Sequence, residues 1–427
     1  MRLGGRLQAA IEVIDEMDQK KCPASDALKA WGASHRFAGS ADRAAIGNIV
    51  YDILRHRLSY AWRMESDTSH ALAFAALLDE AAMPIDELKT ILENDNFAPA
   101  FLNDKQIAAW QNHTLDDAPD YIAADIPQWT KHELEKSFGA SWQEQAQALN
   151  ARPPLDLRVN HLKSTANEVC QHLNPIMCEQ FSWFAQALRI APIEGMGRHP
   201  NVQKDQAFLD GLFEVQDLGS QITAHLAQAQ PDEHVLDYCA GAGGKTLALA
   251  AEMQNKGEIH AFDAEQARLT PMFERLKRAG VKNAYIHERE EDLEPLKQKM
   301  DLVLVDAPCT GSGTWRRRPD AKWRLTKEQV EQRNLDQALV LDKACEYVKH
   351  DGRLVYITCS LFNSENDKQV EQFLTRHSDF TKIDMKTHWA NMLPQAPEPF
   401  VSRHGLILSP LQTKTDGFYI CVLKRKA

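Results

Sequence analysis

The sequence predicts an α/β protein: a doubly wound domain with a largely parallel sheet over 213–427, a small α+β module over 150–212 and an all-helical domain over 1–145. Three observations predict it. From residue 213 onward the short apolar runs HVLDY, EIHAFD, NAYIHE, MDLVLVD and GRLVYIT alternate with amphipathic stretches, the pattern of strands joined by crossover helices. Before residue 145, segments such as LQAAIEVIDEM and ADRAAIGNIVYDILRHRLSYAWRM place apolar residues at three- and four-residue steps. Between them Pro153-Pro154 breaks the helical pattern, and PPLDLRVNHLK turns to strand-like alternation before the helical TANEVCQHL. A length of 427 residues suits about three such units.

The longest apolar run of the helical part, ALAFAALL at 71–78, is too short to span a bilayer. The start of the chain turns acidic at Glu12, before any apolar stretch long enough for a signal peptide. Eight cysteines are scattered without a C-x-x-C or a close His/Cys cluster, which argues against structural zinc and against a disulfide framework. The expectation is a cytoplasmic protein with no membrane contact and no metal, in which any important thiol is catalytic.

A formal charge of −11 argues against a protein that grips nucleic acid over its whole surface. The charge is uneven, however. Residues 64–150 carry −12, whereas 1–63 carry +3 and 307–333 carry +4. Contacts to a polyanion are therefore expected at 1–63, in the 150–212 module and at 307–333.

The chemistry gathers at strand ends. HVLDY runs into Cys239-Ala240-Gly241-Ala242-Gly243-Gly244-Lys245-Thr246 and then a helix. Three glycines in four positions let the backbone approach a ligand closely, and the helix start offers free N–H groups. Cys239 stands where a Walker A loop needs Gly, and Thr246 where the dinucleotide fingerprint has its third Gly. The next strand ends at Asp263, placed to accept hydrogen bonds from ribose hydroxyls. Together these features suggest S-adenosyl-L-methionine. Two later strands end in Asp306-Ala307-Pro308-Cys309 and Thr358-Cys359-Ser360, and in a parallel sheet such ends share one edge. Asp306, Cys309 and Cys359 should converge near the glycine loop. Beyond Cys309, residues Trp315, Arg316, Arg317, Arg318, Lys322 and Arg324 interleave cations with Trp, as single-stranded nucleic acid would require.

The segments DYCAGAGGKT (237–246), DAPC (306–309) and TCS (358–360) resemble the RNA (cytosine-5)-methyltransferase family, with both cysteines in register. FEVQDLGSQ (213–221) and DGFYICVLKR (416–425) are similar to further family segments. ADRAAIGNIVYDILRHR resembles the antitermination-factor-like RNA-binding domain of the bacterial small-subunit (16S) rRNA branch. Two departures stand out. Ala242 occupies a position where the family usually has Pro, and IHEREEDLEPL offers Glu288, Glu290 or Asp292 for the usual Asp that meets the adenine.

The resemblance implies a Rossmann-like, S-adenosylmethionine-dependent methyltransferase domain acting on carbon 5 of a cytosine in RNA. By family analogy Cys359 adds to carbon 6, Asp306 meets ring nitrogen 3, and Cys309 assists release of the enzyme. Residues Cys239 to Lys245, with Asp263 and Asp306, would hold the cofactor. Alternatives are a tRNA cytosine-5 methyltransferase, a non-catalytic RNA-binding assembly factor and, more remotely, a P-loop ATPase.

Overall fold

The computed structural model describes all residues from Met1 to Ala427. Its N-terminal third is helical, and the apolar run at 71–78 lies at its centre. Every residue from Ala71 to Leu78 is buried, because the helix Ser69–Asp79 is surrounded by Leu3–Lys20, Ser40–Arg55 and Arg57–Met64. Leu7, Ile14, Ile46, Val50, Ile53 and Phe74 meet there, at the spacing the sequence displays. Thr68 caps the central helix by accepting from the Ala71 N–H at 3.3 Å. No helix is long and apolar enough to cross a membrane.

One boundary differs from expectation. Residues 120–149 are helical, but Ala124, Ile126, Leu134, Phe138, Trp142, Ala146 and Leu149 share a core with Tyr356, Phe362 and Tyr419 of the C-terminal domain. Phe138 packs edge-on against Phe400 at 5.2 Å. Helical periodicity shows that a face is apolar but not what will cover it. A single helical unit over 1–145 therefore has to be divided.

The module forms a four-stranded antiparallel sheet from β1 (Leu155–Val159), β2 (Glu179–Gln180), β3 (Ala187–Ile190) and β4 (Phe213–Val215), in the order β2-β3-β1-β4. The sheet extends past residue 212, since Phe213 pairs with Val159 and Val215 with Leu157. A capping box between Thr165 and Glu168 starts the helix Ala166–Leu173, which packs Val169 and Leu173 against Leu157 and Leu188. Asp156 pairs with Arg189 at 2.6 Å and also accepts from the Leu218 N–H at 3.0 Å, fixing the module to the next domain.

That domain contains the five sequence-read strands as β5 (His234–Asp237), β6 (Glu258–Phe262), β7 (Ala284–His287), β8 (Met300–Asp306) and β9 (Val348–Thr358), all parallel. The remaining strands are β10 (Phe380–Lys382), β11 (Phe400–Val401), β12 (Leu406–Leu408) and β13 (Phe418–Arg425). The order is β11-β12-β13-β9-β8-β5-β6-β7, with β10 beside β13. Progression from β5 runs outward through β6 and β7, then reverses to β8 and β9. The crevice at such a reversal, beyond the carboxyl ends of β5 and β8, is where doubly wound sheets bind ligands.

Candidate active site

The turn after β5 is built by local bonds. Thr246 Oγ1 donates to Asp237 Oδ2 at 2.7 Å, closing the loop onto the strand that launches it. Gly243 precedes the helix Gly244–Glu252 with φ 82°, and a Cβ there would lie 2.7 Å from Met272 Cγ. Ala242 leaves the turn without a proline, yet Arg275 donates to its carbonyl at 2.6 Å and restrains it. The Gly241 N–H donates to Asp263 Oδ2 at 2.9 Å, joining the loop to the end of β6. Arg268 also pairs with Asp263, at 3.1 Å.

These residues surround a cavity of about 160 Å³ lined by Asp237, Cys239, Gly241, Lys245, Arg268 and Asp306, among others. Burial pushes the Asp237 carboxyl up to about 7, and its Oδ1 has no hydrogen-bond partner. A glycine cradle, an unpartnered buried oxygen and carboxylates at three strand ends fit a ligand carrying cationic centres and ribose hydroxyls, as S-adenosylmethionine does. A larger groove of about 820 Å³ lies between Trp31, Phe37 and Phe97 and is lined by residues of the helical part, none of them on a strand. Chemistry rather than volume marks the site.

The two thiols converge as expected. Cys309 Sγ and Cys359 Sγ lie 3.2 Å apart, both as free cysteines. The neighbouring Cys359 sulfur, burial and the Glu365 carboxylate hold the Cys309 thiol well above the ordinary thiol range. On the cofactor side, Lys245 Nζ donates to Asp306 Oδ2 at 2.6 Å. Asp306 remains about one-third exposed, whereas Lys245 is buried and lies 5.4 Å from the Phe418 ring. The edge therefore holds a thiol pair and a carboxylate–ammonium pair side by side.

Beneath the thiols is a polar frame that the sequence reading missed. Glu365, fully buried, accepts from the Thr310 N–H at 2.8 Å, Thr310 Oγ1 at 2.6 Å, Gln337 Nε2 at 3.0 Å and the Ser360 hydroxyl. Gln337 also donates to the Pro308 carbonyl at 2.9 Å. Glu365 thus ties the loop carrying Cys309 to the loop carrying Cys359. Asn366 completes the frame, accepting from Thr358 Oγ1 at 2.6 Å and donating to the Ser360 carbonyl at 2.9 Å. The Gly313 N–H donates to the Cys359 carbonyl at 3.0 Å, and a Cβ on Gly313 would lie 2.1 Å from the Gly417 carbonyl oxygen. No motif announces Glu365; its one signal is a carboxylate six residues after Cys359.

Among the acids offered for the adenine, Glu290 is bound to Tyr238 at 3.0 Å and Lys343 at 2.7 Å, and Asp292 to Arg289 at 2.6 Å. Glu288 lies just beyond β7, exposed, with its carboxylate unpaired.

The basic loop is corrected. Trp315 is buried against Phe362 at 5.9 Å, where no base can stack on it. Arg316 is buried between Asp416 and Asp217, and Arg317 pairs with the same two carboxylates and donates to the Pro154 carbonyl at 3.0 Å. Lys322 is buried, donating to the Arg55 carbonyl at 2.9 Å and Asn150 Oδ1 at 3.0 Å; burial pushes it down to about 7. Trp323 donates to the Leu54 carbonyl at 2.7 Å, and Arg55 to the Arg316 carbonyl at 2.8 Å. Arg318 and Arg324 remain at the surface, Arg324 paired with Asp320 at 2.8 Å. Two carboxylates distant in sequence, Asp217 and Asp416, neutralise Arg316 and Arg317, and the loop docks the helical part and the module onto the catalytic domain.

Comparison with known proteins identifies the family and the fold. A family model described as 16S rRNA methyltransferase RsmB/F matches residues 224–424, and one described as an RsmF/B-like ferredoxin-like domain matches 126–192. The chain is 32% identical over 306 residues to a probable ribosomal RNA small subunit methyltransferase B of Synechocystis sp., covering 70% of this chain and 67% of that one. Against ribosomal RNA small subunit methyltransferase B of Shewanella oneidensis it is 30% identical over 308 residues, covering 71% and 68%. The crystal structure of PH0851 shares the fold over 100% of this chain and 99% of that one, with TM-score 0.73 at 23% identity. A methyltransferase homologue from Pyrococcus horikoshii superposes over 72% of this chain and 97% of that one, with TM-score 0.59 at 26% identity. The chain belongs to the RsmB/F family and is an S-adenosylmethionine-dependent methyltransferase.

Proposed function

We propose that the protein methylates carbon 5 of a cytosine in small-subunit ribosomal RNA, with Cys359 as the nucleophile. The observation that carries this reading is the 3.2 Å approach of Cys309 and Cys359 at the sheet edge that also presents Asp306. Carbon 5 of cytosine is a poor nucleophile. Addition of the Cys359 thiolate to carbon 6 forms a carbon–sulfur bond and turns the ring into an enamine, nucleophilic at carbon 5. Asp306, hydrogen-bonded to the Lys245 ammonium at 2.6 Å, relays a proton to ring nitrogen 3 as the thiolate adds, so that addition yields a neutral enamine. S-adenosylmethionine supplies a methyl group on a sulfonium when bound in the glycine cradle.

Release requires a base, here assigned to a solvent water at the open cleft, to take the carbon 5 proton; the electrons of that C–H bond restore the 5,6 double bond and expel the Cys359 thiolate. Cys309 is assigned to this half of the cycle. Its elevated pKa keeps it protonated, so it donates a hydrogen bond toward the departing sulfur. Glu365 positions both thiol loops without touching the base. Asp263 is assigned to the ribose and Glu288 to the adenine. The target cytosine must be unpaired or flipped out, since carbon 6 is shielded in a stacked helix. The small-subunit rRNA target rests on the names of the relatives. Methyl transfer to purified small-subunit rRNA and to total tRNA in parallel, with mapping of 5-methylcytosine, tests it. Modification confined to small-subunit rRNA is expected; modification confined to tRNA would overturn the target.

A further inference from the structure

The opposite edge of the catalytic sheet carries a second cluster that the methyl-transfer chemistry does not use. His234 opens β5, and Glu258 and His260 open β6; register places His234 directly beside Glu258. His234 Nδ1 lies 3.3 Å from Glu258 Oε2, His260 Nε2 lies 3.5 Å from the same oxygen, and the three ligand atoms fall within 4.8 Å of one another. His260 is only 8% exposed, and its Nε2 has no hydrogen-bond partner. Its other nitrogen, Nδ1, is 2.9 Å from His287 Nε2.

We propose that His234, Glu258 and His260 form a binding site for a divalent transition ion of the zinc class, with His287 as the orienting partner of His260. Geometry carries the assignment. An ion with tetrahedral ligand bonds of ~2.0–2.2 Å holds its ligand atoms roughly 3.3–3.6 Å apart. The two measured separations match, and the third, between the imidazoles, lies within 4.8 Å beside a half-exposed His234. Two imidazoles and one carboxylate are a zinc donor set that leaves the fourth position to water. In the tautomer in which His260 Nδ1–H donates to His287 Nε2, the Nε2 lone pair points at the cluster, the usual support of a metal-ligating histidine. A lone pair facing a carboxylate at 3.5 Å calls for a cation between them. The ion would staple the starts of β5 and β6, the two strands whose far ends carry Asp237 and Asp263. His234 joins Glu258 and His260 only through the pairing of β5 with β6, whereas the expectation of no metal rested on the absence of a close His/Cys cluster in the sequence.

The test uses the full chain, stripped with chelator, and Zn²⁺ alone as probe. It is run in a Cys309→Ser/Cys359→Ser background, so that the thiol pair does not take up the same ion. One saturable equivalent by calorimetry and a raised Tm are expected. His260→Ala should abolish both, and His287→Ala should weaken binding about 10–100-fold. Should His260→Ala fail to fold, His234→Ala at the exposed side supplies the result, with loss of the tetrahedral Co²⁺ visible spectrum as an independent readout. No saturable binding, or binding unchanged in His234→Ala and His260→Ala, would overturn the proposal.

Discussion

The glycine loop at 239–245 and the basic loop at 315–324 look equally functional in the sequence, and the structure separates them. Around the glycine loop polar groups remain open: Asp237 Oδ1 is unpartnered and Asp306 is partly exposed beside a cavity. Along the basic loop three of the five cations are satisfied by distant groups, Arg316 by Asp416, Arg317 by Asp217 and Lys322 by the Arg55 carbonyl, while Arg324 pairs locally with Asp320 and Arg318 is exposed. A local excess of one charge marks a ligand site only when tertiary structure leaves it uncompensated. The difference supports the assignment of ligand binding to the first loop, whereas the second joins domains.

Substitutions can break or sharpen that contrast. The largest effect belongs to Arg316→Ala, which leaves the buried Asp416 short of a partner and should cost about 3 kcal/mol of stability in urea unfolding. The salt dependence of RNA binding should not change. Gly243→Val puts side-chain atoms where Met272 lies and forces a β-branched residue to φ 82°. It should cost roughly 1–3 kcal/mol and remove S-adenosylmethionine binding measured by calorimetry. Lys322 has a folded pKa of about 7, below its unfolded value of 10.5. Between those values the unfolded chain binds more protons, so stability should rise as pH increases from about 7 toward 10. Lys322→Met should flatten that rise. A smaller effect is expected of Glu288→Gln, which should weaken cofactor binding about tenfold by losing one charge-assisted hydrogen bond. Glu290→Gln, whose parent side chain is already engaged, should leave it unchanged. The smallest belongs to Arg318→Ala, which should lower the salt slope of RNA affinity by about one and leave Tm unaltered.

What the sequence reveals follows from how local each signal is. All five parallel strands were legible because each is a contiguous apolar run, and the cofactor loop because its glycines are adjacent. Cys309 and Cys359 were placed together because strand ends in a parallel sheet share an edge. Glu365 and Gln337 were not legible, since their importance comes from meeting Thr310 and Pro308 across the cleft. His234 and His260 fall in one cluster only through the register of β5 with β6. Trp315 and Lys322 misled because interleaved aromatic and basic residues suit a domain interface as well as an RNA surface. Residues 120–149 misled for a related reason: their apolar faces cover the catalytic sheet.

The central claim is that Cys359 attacks and Cys309 releases. The most direct measurement is the covalent enzyme–RNA adduct, resolved on a denaturing gel after incubation with S-adenosylmethionine and small-subunit rRNA. Cys309→Ala should accumulate the adduct, while Cys359→Ala should form none and transfer no methyl groups. Normal turnover by Cys359→Ala would contradict the mechanism, and an adduct in Cys359→Ala but not in Cys309→Ala would reverse the two roles.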